Sequence, residues 1–252
     1  MSTPEPRSRT PESWHRRVME HRSALFAVVT TLAISVGGIV EIVPLFTLDQ
    51  SGAQGEGTLL GITPYTPLEV AGRDIYVSEG CYNCHSQMVR PFRAETLRYG
   101  EWSRSEEYAF DRPFQLGSRR IGPDLARVGA KYPDAWHFEH MRDPRSTSPG
   151  SIMPPYPWLA EESWTVDDVQ ASVDALSTLG HPYSEADRSS VAASCDAQAT
   201  GIVERLAQSG VQTSKDRQIV ALIAYLQRLG VEGREAIDGR ASNPAPAVGG
   251  EG

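Results

Sequence analysis

Cysteine is scarce in this chain: Cys81, Cys84 and Cys195 are the only three in 252 residues. So few, placed so unevenly, exclude the disulfide framework of a small secreted scaffold. Basic residues are also short, 24 Lys and Arg against 32 Asp and Glu, for a formal net charge of −8. Beyond the N-terminus there is no basic run. A nucleic-acid footprint needs clustered Lys and Arg, so that class is set aside. The sequence lacks internal repeats and the apolar–polar alternation of strands, and the fold is expected to be mostly α. Its composition is neither collagen-like nor that of a disordered chain. Its length suits one ordinary domain with extensions.

What it does have is one long apolar run, "SALFAVVTTLAISVGGIVEIVPLF", residues 23–46. A bilayer core of about 30 Å is crossed by about 20 mostly apolar helical residues. Arg7, Arg9, Arg16, Arg17 and Arg22 precede the run; Asp49 and Glu56 follow, with no Lys or Arg until Arg73. The positive-inside rule puts the N-terminus in the cytoplasm and everything after Phe46 outside. For a bacterial chain this is a single-pass protein of the inner membrane with a periplasmic domain. A cleaved signal peptide would have an apolar region of only about 7–15 residues and a small-x-small cleavage site. This run is longer and ends in Val43, Pro44, Leu45 and Phe46, so an uncleaved anchor is expected. Ala27, Thr31, Ser35 and Gly38 share one helical face, and small residues let another membrane helix approach closely. Glu41 continues the stripe. It is expected to face protein or water, the alternative being the outer headgroup layer. The stripe argues for a larger membrane partner.

Five segments are expected: a basic cytoplasmic N-terminus (1–22), the transmembrane anchor (23–46), a Gly-, Ser- and Thr-rich linker (47–65), a periplasmic domain (66–230) and a disordered tail (231–252). Thr66, Pro67 and Glu69 predict a capped helix start, and Gly80 its end. Residues 86–133 are expected to be irregular, punctuated by Gly and Pro. Asp134 is a candidate cap for a short helix, and "PRSTSPGSIMPPYPW" has too many prolines to be one. Helices are expected over Thr165–Leu179 and 185–209. The last is placed in "TSKDRQIVALIAYLQRLG", with Thr213 as candidate cap and Ile219, Leu222, Ile223 and Leu226 on the helical period.

The chemistry lies in Cys81-Tyr82-Asn83-Cys84-His85, the C-x-x-C-H pattern of c-type haem attachment. Two thiols reach the two vinyl groups on one porphyrin edge and form thioethers. The next residue then brings an imidazole under the iron. One covalent haem c is therefore expected, with His85 as the proximal ligand. A structural zinc site would need a second Cys/His pair, which the chain lacks, and a thioredoxin-like pair would need a βαβ context. A ligating histidine usually donates its other ring N–H to an oxygen acceptor. "IGPDLARVG", residues 121–129, is similar to the Gly-Pro-Asn-Leu stretch of class I c-type cytochromes. That similarity implies that the Pro123 carbonyl takes the proton and that Leu125 packs on the haem. Asp124 stands where Asn is usual.

For the sixth ligand, Met1 and Met19 lie before or near the membrane, Met88 is three residues from His85, and Met141 falls in a predicted helix. Met153, in "SIMPPYPW", sits in a stiff extended segment, and Met-Pro is also the context of the axial methionine in many small c-type cytochromes. Met153 is thus the candidate distal ligand, the alternative being a core gap-filler. His137 and His140 are its rivals, and a bis-His haem would have a lower potential. Both are expected on a surface helix, and His181 on the surface. Gly72 and Tyr76 on the first exported helix, with Leu222 and Tyr225 on the last, suit the close crossing of first and last helices in class I cytochromes.

Taken together, "EIVPLF", "GRDIYVSEGCYNCHSQMVRPFRAETLRYG", "IGPDLARVGAKYPDAWHFEHMRDPRS" and "SIMPPYPWL" closely resemble the mono-haem subunit of cbb3-type cytochrome c oxidases. The resemblance covers about residues 23–183 and the final helix; residues 184–213, with Cys195, match less well. It implies a bacterial haem–copper oxidase in which this chain passes electrons to the catalytic subunit, where oxygen becomes water. They would come from a di-haem subunit or a soluble cytochrome c. Arg90 and Arg93 are candidates for haem propionate or interface contacts. Two readings remain beside it: the cytochrome subunit of a nitric oxide reductase, and a free-standing anchored electron carrier. A haem gas sensor or peroxidase would need an open sixth position.

Overall fold

The computed structural model describes residues 13–16, 18, 21–47, 62–111 and 113–234. Most of the expected N-terminal segment, linker and tail therefore lies outside the described residues. The chain divides into two compact units, residues 1–50 and 51–252. The first holds α1, Ser23–Thr47. Its stretch Ser23–Val43 is long and apolar enough to cross a membrane. Leu32, Ile34, Val36, Ile39 and Val40 are all exposed along it, which in water would be unfavourable and in lipid is not.

The second unit holds α2 (Pro67–Ser78), α3 (Arg93–Tyr99), α4 (Asp134–Arg142), α5 (Pro144–Thr147), α6 (Val166–Thr178), α7 (Glu185–Ser189), α8 (Val191–Gln208) and α9 (Gln218–Arg228). Short 3₁₀ turns lie at Cys81–Asn83, Ser105–Tyr108 and Pro157–Ala160. Among the described residues the one β pairing is an isolated bridge between Ser163 and Arg217. The mostly α expectation is met.

Helix α2 starts as its sequence dictates. Glu69 N–H donates to Thr66 Oγ1 (3.4 Å) and Thr66 N–H to Glu69 Oε2 (2.9 Å), a reciprocal capping box. It stops at Gly80, whose φ of 69° suits a residue without a side chain. Helix α9 carries the core: Ile219, Leu222, Ile223 and Leu226 are all buried, each worth about 1.5–3 kcal/mol over exposure. It crosses α2 at Gly72 with backbone nearly touching backbone. Tyr225 packs against Tyr76 (ring centroids 5.4 Å) and Tyr65 (5.7 Å). Helices α4, α6 and α8 close the core around this pair with Met141, Val173, Cys195 and Ile202.

Several expectations are corrected. The cap of α4 is Pro133, not Asp134; the Asp134 carboxylate is drawn off by Arg205 Nε and Gln227 Nε2, each 2.7 Å away. The cap of α9 is Arg217, not Thr213. The preceding residues are tied instead to 162–164, with Trp164 N–H donating to Asp216 O (3.0 Å) and Gln218 N–H to Glu162 O (3.0 Å). Residues 185–209 form two helices that break at Ser190. The span 86–133 is not all irregular: it contains α3, whose one buried residue is Glu95. Residues 231–234 form a further helical turn. There the Glu232 carboxylate accepts Thr63 N–H (2.9 Å) and Thr63 Oγ1–H (2.7 Å).

Candidate functional site

The site is built on two loops. Gly80 turns the chain out of α2 into the Cys81–Asn83 turn. There Cys84 N–H (3.1 Å) and His85 N–H (3.0 Å) both donate to Cys81 O. Both thiols are free; Cys81 is half-buried at the edge of the core and Cys84 is exposed. Burial pushes the Cys81 thiol up to about 12, with Glu79 adding to the shift. It is therefore protonated at neutral pH.

The second loop is stapled beside the first. Gly122 N–H donates to Cys84 O (3.0 Å) and Leu125 N–H to Ser86 O (2.8 Å). This brings Pro123 O to 2.8 Å from His85 Nδ1. A carbonyl only accepts, so Nδ1 carries a proton, and in the neutral ring Nε2 keeps its lone pair. Burial lowers the His85 pKa, opposed by the Pro123 bond and by the Asp124 charge. Gly122 lies against the ring: a Cβ there would stand 2.2 Å from His85 Cε1. A neutral imidazole, fixed through one nitrogen, with the other free and two thiols on the preceding turn, fits covalent haem.

Asp124 is held by donors alone. Its Oδ2 accepts Ser86 Oγ–H (2.6 Å) and Met88 N–H (2.9 Å), and its Oδ1 accepts Ala126 N–H (2.9 Å). Arg120 reaches the same Oδ2 from 3.4 Å, Ser86 Oγ from 2.8 Å and Glu95 Oε1 from 2.6 Å. Hydrogen bonds from Arg120 and Arg90 pull the Glu95 carboxyl down to about 2. Ser86, Arg120 and Glu95 were not foreseen as site residues; the one signal was Asp in place of the usual Asn.

The other candidates scatter. Leu125 and Met153 are partly buried and pack against the core. Met153 N–H donates to Ser151 Oγ (3.2 Å), and Tyr156 N–H to Met141 O (2.7 Å), which ties this segment to α4. Arg90 is engaged with Glu95 through its backbone N–H (2.8 Å) and stands 5.6 Å from the Phe92 ring centre; Arg93 is exposed on α3. Cys195 is fully buried and its thiol is pushed up to about 11 by burial, which leaves it inert. Two surface assignments are corrected. His137 is 1% exposed, because α4 turns that face onto the core. His181 is buried because its loop folds back, its N–H donating to Leu176 O (3.0 Å), and its ring lies 6.1 Å from Phe110. His140 is half-buried, stacked on Trp136 (4.4 Å), with Nδ1 2.6 Å from Thr147 Oγ1.

Comparison with known families matches residues 15–232 to the one described as cytochrome c oxidase, mono-heme subunit/FixO. No curated protein matches the chain significantly.

Proposed function

The chain belongs to the mono-haem subunit family of cytochrome c oxidases, and we propose that it is the membrane-anchored electron relay of a cbb3-type enzyme. On this reading α1 is an inner-membrane anchor, the N-terminus is cytoplasmic, and the second unit is periplasmic. The stripe Ala27, Thr31, Ser35, Gly38 and Glu41 would face a partner's membrane helix. Electrons would arrive from a di-haem subunit or a soluble cytochrome c and leave to the catalytic subunit, where oxygen is reduced. The family match favours an oxidase over a nitric oxide reductase.

The observation that carries the haem assignment is the 2.8 Å contact of His85 Nδ1 with Pro123 O, on the loop beside Cys81 and Cys84. Cys81 and Cys84 would tether one haem c. His85, through Nε2, and Met153 would hold the iron, and Leu125 would pack on the haem. When bound, haem c supplies a one-electron ferric/ferrous couple. The residues do the rest. Pro123 fixes the tautomer and orientation of His85. The hydrogen bonds that Ser86, Met88 and Ala126 donate to Asp124 would hold the Pro123 loop in place, and with it the His85 ring. Outer-sphere transfer needs no general acid, base or nucleophile from this chain.

The test is purification from gently solubilised native membranes with a tag on the C-terminus. The expected result is a complex with c-type and b-type haem, copper and oxygen consumption. The chain alone, with only a c-type spectrum, would reduce it to an anchored carrier. A complex without copper that reduces nitric oxide would overturn the oxidase reading.

A further inference from the structure

We propose that the buried Asp124 carboxylate and its partner Arg120 set the reduction potential of this subunit, the carboxylate lowering it and the guanidinium raising it. The inference rests on haem being bound at His85. Asp124 immediately follows Pro123, whose carbonyl holds His85 Nδ1, and its carboxylate is bonded to Ser86, the residue after His85. Its side chain is 0% exposed, and that of Arg120 is 20% exposed. A fixed charge this close to the proximal ligand, shielded from water, acts on the iron charge with little screening. A negative charge favours the ferric state and a positive one the ferrous state.

The geometry explains why Asp stands here. Every group aimed at the carboxylate is a donor: Ser86 Oγ–H, Met88 N–H and Arg120 on Oδ2, and Ala126 N–H on Oδ1. Asn offers a single acceptor oxygen, so its amide would turn N–H groups onto one of these donors. The site is built for a carboxylate, and a buried carboxylate needs a counter-charge. Arg120 supplies it and is shared with Glu95, which Arg90 also engages. Tyr99 covers the guanidinium face at 5.3 Å. The cluster thus holds two acids and two bases, with one acid sealed beside the ligand loop. Arg120 and Asp124 are positioning residues in the sense that they act through the His85–Pro123 contact and through their field.

A merely structural role makes a different forecast. Loosening the loop admits water to the haem, and water favours the ferric state whichever residue is lost. Charge tuning gives opposite signs. Redox titration of the full-length chain in detergent, followed at the c-type α-band, is the experiment. Asp124→Asn is expected to raise the potential, about tenfold in ferrous-to-ferric ratio at fixed ambient potential, or about 59 mV for one electron. Arg120→Gln is expected to lower it by a similar factor, and the double variant to return near wild type. Glu95→Gln, nearer the surface, is expected to raise it by less, and supplies the opposite sign if Asp124→Asn does not fold. Shifts of one sign in all variants, or changes under about twofold, overturn the proposal. A wild-type chain without a c-type spectrum would instead overturn the haem assignment on which it rests.

Discussion

Gly72 on α2 lies directly beneath the Ala221 carbonyl of α9: a Cβ there would stand 2.0 Å from Ala221 O and 2.8 Å from Tyr225 Cβ. Both obstacles belong to a buried helix that other helices hold in place, so neither can step aside. Gly72→Ala is therefore expected to push α2 off α9 and cost at least about 3 kcal/mol, at the upper end for overpacking. Guanidinium unfolding of the haem-loaded chain measures it. Gly201→Ala, in the interior of α8 with only Arg205 Nη1 at 3.5 Å, is the control and is expected to stabilise by about 0.5–1 kcal/mol. If the two variants unfold at the same midpoint, the close crossing is not what the glycine serves.

Gly122→Ala makes the contrasting case. The nearest atoms to its Cβ all belong to the His85 ring, with Cε1 at 2.2 Å, and a side chain can swing away where a carbonyl cannot. The fold is expected to survive with little change in unfolding midpoint. The ring, though, must leave Pro123 O, losing the bond that fixes its tautomer. The expected signature is a c-type chromophore, still attached through Cys81 and Cys84, whose absorption and magnetic spectra show a displaced proximal ligand. Unperturbed spectra would mean that His85 has room to spare and that Gly122 is incidental.

The parts of this molecule that were legible in the sequence are the local ones. Thr66 and Glu69 are three residues apart, so a capping box can be read directly. The period of Ile219, Leu222, Ile223 and Leu226 reveals the buried face of α9. Cys81, Cys84 and His85 are nearly contiguous. The Asp124 cluster was not legible, because Ser86 and Asp124 are separated by 38 positions and their meeting depends on two loops lying side by side. The burial of His137 was hidden for a related reason: a histidine in a polar-looking helix gives no sign of which face meets the core. Arg217 replaced Thr213 as the α9 cap because a tertiary contact, Asp216 with Trp164, outweighs a local preference.

His137 should make the protein acid-sensitive. Burial holds its pKa down at about 4, against an ordinary 6.5, with the neighbouring His140 also lowering and Asp134 raising it. Neither ring nitrogen has a hydrogen-bond partner in the structure. Because the folded value lies below the unfolded one, the neutral ring contributes stability above pH 6.5. That contribution is lost as pH falls from 6.5 through 4, by roughly 3 kcal/mol in all. His137→Leu removes the titration. Denaturant midpoints from pH 7.5 to 4 are expected to fall less steeply in the variant, other groups contributing equally to both chains. Parallel profiles would place the charge change elsewhere.

On the proposed reading Met153 is the ligand that would close the iron. The residue is partly buried at the edge of the core, on a proline-framed segment that Tyr156 ties to Met141 O at 2.7 Å. Thioether ligation favours ferrous iron and raises the potential relative to a second histidine or water. Met153→Ala is therefore expected to lower the potential by more than about 59 mV, a tenfold change in the redox ratio, and to let carbon monoxide bind the ferrous state. The rivals separate cleanly. His140→Ala is expected to leave carbon monoxide binding absent, because its Nδ1 is engaged by Thr147 and its ring is stacked on Trp136. His137→Leu is expected to leave it absent too, since that ring is buried and meets Trp136 and Tyr132 edge-on. Carbon monoxide binding in either histidine variant, with none in Met153→Ala, would transfer the distal ligand to that histidine. It would also lower the potential expected of the whole relay.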